Sequence, residues 1–289
     1  MNFFLRVIRK LKSIIAKFHR PLYASVSYLT PGNYLENRTA FITGGTSGIG
    51  YAIAKAFAAN GATIVISGRN EERVNSSCER LKNELKDNHG IFGIVMDNTK
   101  TETFASCFSQ VLEMVKPNKI DILVNNAGVI GGHISNSTEE EYDLCLDTNL
   151  KGTFFLSQIV AKYMKTNNIH GNILNIASSS SLRPAASAYT ISKWGIRGFT
   201  IGLAKVLIPY HIVVNGVAPG PTATPLLNRD ALDDLSCSTN PLGRYAVPEE
   251  IANMATILVS NLGRTIVGDI VYMTGGEGIF DNSGMDYSF

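Results

Sequence analysis

At 289 residues, with 45% hydrophobic and 17% charged side chains, the chain has the bulk for one large α/β domain and the balance of a soluble globular protein. Its net charge of +2 divides into +6 on residues 1–35 and −4 on the remainder, which speaks against a nucleic-acid reader carrying a basic stripe on its folded domain. Four scattered cysteines (Cys78, Cys107, Cys145, Cys237) and five histidines (His19, His89, His133, His170, His211) show neither pair nor metal-ligand spacing, so no metal site and no disulfide framework is expected, and a reducing, cytoplasmic setting is.

The first segment, residues 1–35, reads as an extension of a domain that begins near residue 36 and runs to 289. On a helical wheel Phe4, Val7, Ile8, Leu11, Ile14, Ile15 and Phe18 share one side, and Arg6, Arg9, Lys10, Lys17 and Arg20 the other, until Pro21 stops the helix. A basic amphipathic helix without acids suits three uses: lying on an anionic membrane through residues 1–20, contacting a partner or subunit, or serving as a cleaved targeting arm. No uncharged run approaches the length of a transmembrane span.

From Thr39 onward short β-branched runs alternate with helical patterns. Strands are expected at Thr39–Thr43, Thr63–Ser67, Phe92–Met96, Ile122–Asn125, Asn172–Ile176, Ile212–Val217 and Asp269–Met273. Helices are expected around 48–60, 70–87, 101–115, 138–166, 187–207 and 248–260, with Gly61 as a left-handed cap after the first. Seven strands joined by crossover helices make an α/β, doubly wound, Rossmann-type parallel sheet, whose ligand crevice lies at the carboxyl ends of its strands. Pro221–Val247 interrupts the alternation and reads as a lid or substrate loop, or as a plain surface excursion.

Two runs carry chemistry. Thr43-Gly44-Gly45-Thr46-Ser47-Gly48-Ile49-Gly50 joins the first strand to the first helix, where missing Cβ atoms let a backbone approach a pyrophosphate and the helix N-terminus offers free N–H groups. Downstream, Tyr189-Thr-Ile-Ser-Lys193 puts a phenol and an ammonium on one helix face. Free tyrosine titrates near ~10, and a neighbouring cation favours its phenolate, bringing proton exchange toward neutral pH.

Together these runs resemble the short-chain dehydrogenase/reductase family over about residues 38–278. Asn125-Asn126-Ala127-Gly128, Asn149 within Asp147–Gly152, and Pro219-Gly220 agree in order with the family's further motifs. The resemblance implies an oxidoreductase that interconverts a carbonyl and a secondary alcohol by hydride transfer. Tyr189 would exchange the proton, Lys193 would hold the nicotinamide ribose and assist the phenol, and Asn149 would hold a water leading to solvent. A serine past the fifth strand would polarise the carbonyl: Ser178 fits best, but it stands only 11 residues before Tyr189 in a trimmed loop, which leaves Ser179 or Ser180 open. The Tyr–Lys spacing disfavours the family's enoyl-reductase variants, and no glycine-flanked elbow supports a hydrolase.

The resemblance also assigns the cofactor site to Gly44, Thr46, Ser47, Gly48, Ile49 and Gly50, with Asn126, Ala127 and Gly128 beside them. Asp97 and Asn98 resemble the adenine contact, and Pro219, Gly220, Thr222 and Thr224 the nicotinamide end. After the second strand stands Ser67-Gly68-Arg69-Asn70, with no acid for a ribose 2′-hydroxyl. Arg69 suits a 2′-phosphate, so NADP(H) is expected over NAD(H), unless its guanidinium points to solvent. The family habit is a homotetramer or homodimer through helices 138–166 and 187–207, where Trp194 would face a partner or else sit in the core. Leu226, Leu227, Leu232, Leu235 and Leu242 suggest a fairly apolar substrate pocket or the buried faces of short helices. A membrane-docked nucleotide-sensing module with negligible turnover is the competing expectation.

Overall fold

Seven parallel strands form one sheet in the order β3-β2-β1-β4-β5-β6-β7. The computed structural model describes residues 22–23, 32–86, 90–230 and 233–280. The expected arm helix over residues 1–20, with His19, His89 and Leu232, lies outside the described residues.

The strands are β1 Thr39–Ile42, β2 Thr63–Gly68, β3 Ile91–Val95, β4 Ile122–Asn125, β5 Asn172–Ile176, β6 Val213–Pro219 and β7 Ile270–Met273. The helices are α1 Gly48–Ala59, α2 Glu71–Leu85, α3 Phe104–Met114, α4 Glu139–Leu146, α5 Gly152–Thr166, α6 Ala188–Leu207 and α7 Pro248–Val259. Every element expected from Thr39 onward is present, within a few residues of its expected ends. The stretch expected as one helix over 138–166 is α4 and α5 joined by a π-helical turn at Asp147–Lys151.

A parallel sheet buries both faces, so its strands are apolar throughout and alternate between two cores. Ala40, Ile42, Ile64, Ile66, Ile122, Val124, Leu174 and Ile176 face the core shared with α1, α2 and α7. The intervening Phe41, Val65, Leu123, Ile173 and Val214 face α3, α5 and α6. Phe41 is in register with both Val65 and Leu123, and Leu123 with Ile173, so these side chains make one continuous buried row. Each such fully buried side chain contributes roughly 2 kcal/mol of transfer free energy. At the amino edge Arg38 Nε donates to Asp121 Oδ2 at 2.8 Å and its Nη2 to Asn172 Oδ1 at 2.8 Å, tying β1, β4 and β5 together. Burial pushes the Asp121 carboxyl up, and the Arg38 guanidinium opposes that shift.

The helices begin where their caps stand. Asn70 accepts from Arg73 N at 2.8 Å to start α2, and Ser187 accepts from Thr190 N at 3.2 Å to start α6. A reciprocal Thr138–Glu141 capping box starts α4. Gly61 follows α1 with φ +93°, as the left-handed cap requires. The chain order reverses between β1 and β4, and the crevice outside their carboxyl ends is where such a sheet takes its ligand.

Candidate active site

A cavity of about 670 Å³ runs along the carboxyl ends of the strands. One end is the turn from β1 into α1. Gly44 has φ +63°, and a Cβ there would stand 2.9 Å from Ala127 Cα. Gly50 does not line the cavity; a Cβ on it would meet Gly44 O at 2.4 Å, so its role is to let α1 close on the turn. Thr46, Ser47, Gly48 and Ile49 line the wall. The α1 N-cap, Ser47, makes no capping bond with its own side chain, which leaves the first-turn N–H groups facing the cavity.

Thr43 and Asn126 brace this turn against β4. Asn126 Nδ2 donates to the carbonyls of Thr43 and Gly44, each at 3.0 Å, while Thr43 Oγ1 accepts from the N–H groups of Asn126 (3.0 Å) and Ala127 (3.1 Å). Ala127 and Gly128 continue the wall. Thr43 was legible only as the end of a strand; its hydroxyl is the pin between two loops.

Beyond β2, Arg69 is exposed on the cavity wall, and Arg73, four residues on and one turn into α2, lines the same wall. Sequence reasoning reached Arg69 but missed Arg73, although the i, i+4 spacing across a helix start was available to find it. Asp97 is engaged locally through one carboxylate oxygen. Its Oδ1 accepts from both Thr99 N and Thr99 Oγ1 at 2.9 Å, closing an Asx turn, and the wall here is made by Met96 and Asn98 instead.

At the other end stand Ser178, Tyr189 and Lys193. Lys193 is 5% exposed; its Nζ donates to Ile176 O at 2.8 Å and lies 5.6 Å from the centre of the Tyr189 ring. Burial lowers the Lys193 pKa to about 8. The Tyr189 pKa is raised, chiefly by burial, while the Ser178 hydroxyl against the phenol pulls it down. This corrects the expectation that the ammonium brings the phenol down: in the protein alone burial sets the direction, and the opposing influence is the Ser178 hydroxyl. The positive ring of an oxidised nicotinamide is the remaining lowering influence.

Of the four consecutive serines, Ser178 is the one that meets Tyr189. Its Oγ also accepts from Ser180 N at 3.1 Å, capping the short 3-10 turn Ser179–Leu182. Ser179 Oγ turns to Glu277 Oε2 at 3.2 Å, and Ser181 Oγ to Ser178 O at 2.8 Å; Ser180 lines the wall.

Asn149 sits in the π turn and is 2% exposed. Its Oδ1 accepts from Val129 N at 2.8 Å, and its Nδ2 donates to Val129 O at 3.0 Å and Ser192 Oγ at 3.0 Å. The side chain thereby commits both amide hydrogens within the protein. It pins the loop after β4 to α6 one residue before Lys193. Next to it, Thr148 Oγ1 is buried in the cavity wall without a partner, a polar atom that a bound ligand would satisfy.

Pro219, Gly220, Thr222 and Thr224 all line the cavity. Thr222 Oγ1 donates to Gly220 O at 3.0 Å and Thr224 Oγ1 to Thr222 O at 3.3 Å, so both hydroxyls stiffen the start of the segment 221–247. In the segment 221–247, Leu226 and Leu227 are exposed on the cavity wall, Leu242 is exposed, and Leu235 is buried with Ala223 and Val247 in a small core of their own. None of these leucines is the buried face of a short helix: Leu226 and Leu227 lie in the 3-10 turn Pro225–Leu227 and are exposed, and Leu235 lies in no helix. Trp194 is 42% exposed and donates from Nε1 to Arg183 O at 2.7 Å, so it is not a core indole. Arg183 and Glu277, paired to each other on the cavity wall, were not anticipated.

Among the described residues no cluster of His, Cys, Asp or Glu has the arrangement of a metal site, and no helix is long and apolar enough to cross a membrane. The four cysteines are unpaired. The residues present fit a dinucleotide: glycines that open the α1 N-terminus, guanidinium groups at the β2 end, and the unsatisfied Thr148 hydroxyl between them and Tyr189.

Residues 44–277 match a family model described as enoyl-(acyl carrier protein) reductase. The chain is 37% identical over 246 residues to a 3alpha-hydroxysteroid dehydrogenase of Mediterraneibacter gnavus, covering 83% of this chain and 97% of the relative. It is similar to the structure of a 3-ketoacyl-(acyl-carrier-protein) reductase from Brucella melitensis complexed with NADH, at TM-score 0.75 and 30% identity over 85% of this chain and 100% of that one. A short chain dehydrogenase from Burkholderia cenocepacia in complex with NADP gives TM-score 0.75 and 29% identity, over 84% and 99% of the two chains. With the sheet order, the glycine turn and the Tyr189–Lys193 pair, these likenesses place the chain: it belongs to the short-chain dehydrogenase/reductase family, oxidoreductases that use a nicotinamide nucleotide on a small-molecule substrate.

Proposed function

We propose that this protein interconverts a ketone and a secondary alcohol, with NADP(H) preferred over NAD(H). The observation that carries the reading is that Ser178, Tyr189 and Lys193 open on the same cavity as the glycine turn. When bound, the nicotinamide supplies the hydride for the carbonyl carbon. Tyr189 gives its hydroxyl proton to the carbonyl oxygen, and Ser178 donates a second hydrogen bond to that oxygen, fixing and polarising it. Lys193, with a pKa of about 8, exchanges a proton near neutral pH and restores the phenol. Asn149 acts by position, holding Val129 and Ser192 where Lys193 needs them.

The family description names an enoyl substrate, and relatives are named for hydroxysteroid and ketoacyl chemistry. The four-residue Tyr–Lys spacing and the serine donor favour a carbonyl here. Arg69 and Arg73, with no acid at the end of β2, support the 2′-phosphate of NADP(H). A sensing module without turnover would leave the Ser178–Tyr189–Lys193 set unused. The test is nucleotide oxidation against ketones with Tyr189→Phe alongside: loss of a general acid costs about 10²–10⁴-fold in rate with nucleotide binding kept. Full turnover by the variant would overturn the reading.

Residues 36–289 are read as one Rossmann-type domain and 1–35 as its extension, in a cytoplasmic protein. The root of that extension reaches the lid: Leu22 N donates to Asp234 Oδ1 at 3.1 Å and Leu22 O accepts from Leu235 N at 3.0 Å. A basic amphipathic arm held there suits peripheral attachment to an anionic membrane, and binding to phosphatidylserine vesicles that is lost on deleting residues 1–20 is the check. Assembly as a homodimer or homotetramer is supported by the apolar groove that Leu150, Phe154, Phe155 and Phe199 form between α5 and α6, with Phe154 and Phe155 43% and 40% exposed. Light scattering on the purified protein distinguishes these states from a monomer.

A further inference from the structure

After β7 the chain runs Thr274-Gly275-Gly276-Glu277-Gly278, with positive φ at all three glycines (63°, 92° and 75°). These turns bring the Glu277 carboxylate back over the serine loop. Its Oε1 pairs with Arg183 Nη2, and its Oε2 accepts from Ser179 Oγ at 3.2 Å. Ser179 adjoins Ser178, so the pair stands one residue from the proposed carbonyl donor. Glu277 is the only acid among the described residues lining the cavity, and its side chain is 15% exposed against 43% for Arg183. Apolar Ile130, Leu226 and Leu227 also line that cavity.

We propose that Arg183 and Glu277 determine substrate specificity, selecting ketones with an apolar body and an uncharged hydrogen-bonding group, a hydroxyl or an amide. The physical reason is that each charge is already answered by the other. A substrate carboxylate could reach the guanidinium only beside the Glu277 carboxylate, and a substrate ammonium could reach Glu277 only beside Arg183. Like charges so juxtaposed in a partly desolvated pocket are strongly disfavoured. A hydroxyl donates to a free carboxylate lone pair and accepts from a spare guanidinium N–H, so it meets both without displacing either. The pair also fixes the trimmed serine loop to the segment after β7, which keeps the selecting group close to Ser178.

This inference rests on reading the cavity as a carbonyl-reducing site, and the experiment keeps the two apart. Three ketones on one carbon skeleton, ending in a hydroxyl, a carboxylate or an ammonium, are compared by kcat/KM in wild type, Glu277→Gln, Arg183→Gln and the double variant. Wild type should prefer the hydroxyl over both charged substrates by at least about tenfold. Glu277→Gln frees the guanidinium and should raise the carboxylate-to-hydroxyl ratio about tenfold or more, mainly through KM. Arg183→Gln should raise the ammonium-to-hydroxyl ratio by a similar factor, and the double variant should show neither gain. Either single variant suffices if the other does not fold. Equal losses on all three substrates, or a wild type indifferent to the terminal charge, would overturn the proposal. Undiminished turnover by Tyr189→Phe would instead overturn the reading on which it rests.

Discussion

Lys193→Met is expected to raise the melting temperature of the nucleotide-free protein while abolishing turnover. The Lys193 ammonium is 5% exposed, and its pKa falls from 10.5 to about 8 because burial penalises the charged form. At about 1.4 kcal/mol per unit, that difference opposes folding by about 3 kcal/mol at neutral pH. Methionine has a similar length and no charge to desolvate, but it forfeits the 2.8 Å bond to Ile176 O, a loss of about 1 kcal/mol. The net gain of about 2 kcal/mol corresponds to about 4–8 °C in a domain of this size. Its pH dependence carries a definite sign. The folded pKa lies below the unfolded one, so the penalty in wild type is fully present below about pH 8. It fades as the pH climbs through 10.5, well above which the amine is neutral in both states. Thermal unfolding of both proteins by circular dichroism, from neutral pH to about pH 10, should therefore show a gap that closes with rising pH. A variant less stable than wild type at neutral pH, or a gap independent of pH, would refute the reasoning.

Replacing Arg69 and Arg73 together with alanine should weaken NADPH binding about tenfold or more and leave NADH binding nearly unchanged, as read by fluorescence titration; equal effects on both would remove the 2′-phosphate assignment. Gly44→Ala puts a Cβ 2.9 Å from Ala127 Cα at φ +63°, so a cost of about 1–2 kcal/mol in stability and a loss of nucleotide affinity are expected from calorimetry. Asn149→Ala strands the N–H of Val129 and leaves its carbonyl only the weak Cys145 thiol as donor, at about 2 kcal/mol, and should lower kcat more than it raises KM if its work is to position Lys193.

The sheet was legible because a strand buried on both faces writes an uninterrupted β-branched run, and the helices because their caps, Asn70, Thr138 and Ser187, stand in the sequence. The glycine turn and the Tyr189–Lys193 pair were legible for a related reason: each is a local pattern whose geometry follows from its own spacing. What escaped is long-range or depends on competing bonds. Glu277 reaches Ser179 across 98 residues, and no local pattern announces it. The π turn at Asp147–Lys151 leaves the apolar periodicity of 138–166 nearly unchanged, yet it decides that the Asn149 amide faces Val129. Asp97 carries a further local signal, the Asp-x-Thr turn that engages one oxygen of its carboxylate. The Tyr189 phenol stands higher than the spacing implied, since a helical interval carries the ammonium's pull but not the desolvation.

The measurement that bears most directly on the proposed chemistry is the fate of a label. NADPH deuterated at the transferable position is incubated with the protein and a panel of ketones, including ketosteroids and 3-ketoacyl thioesters, and the products are read by mass spectrometry and NMR. Deuterium on the new carbinol carbon, absent with Tyr189→Phe, is the predicted result. No deuterium in any product while NADPH binds tightly, or as much deuterium on the carbinol carbon with Tyr189→Phe as with the wild type, would contradict the proposed reduction of a carbonyl by Tyr189, Lys193 and Ser178.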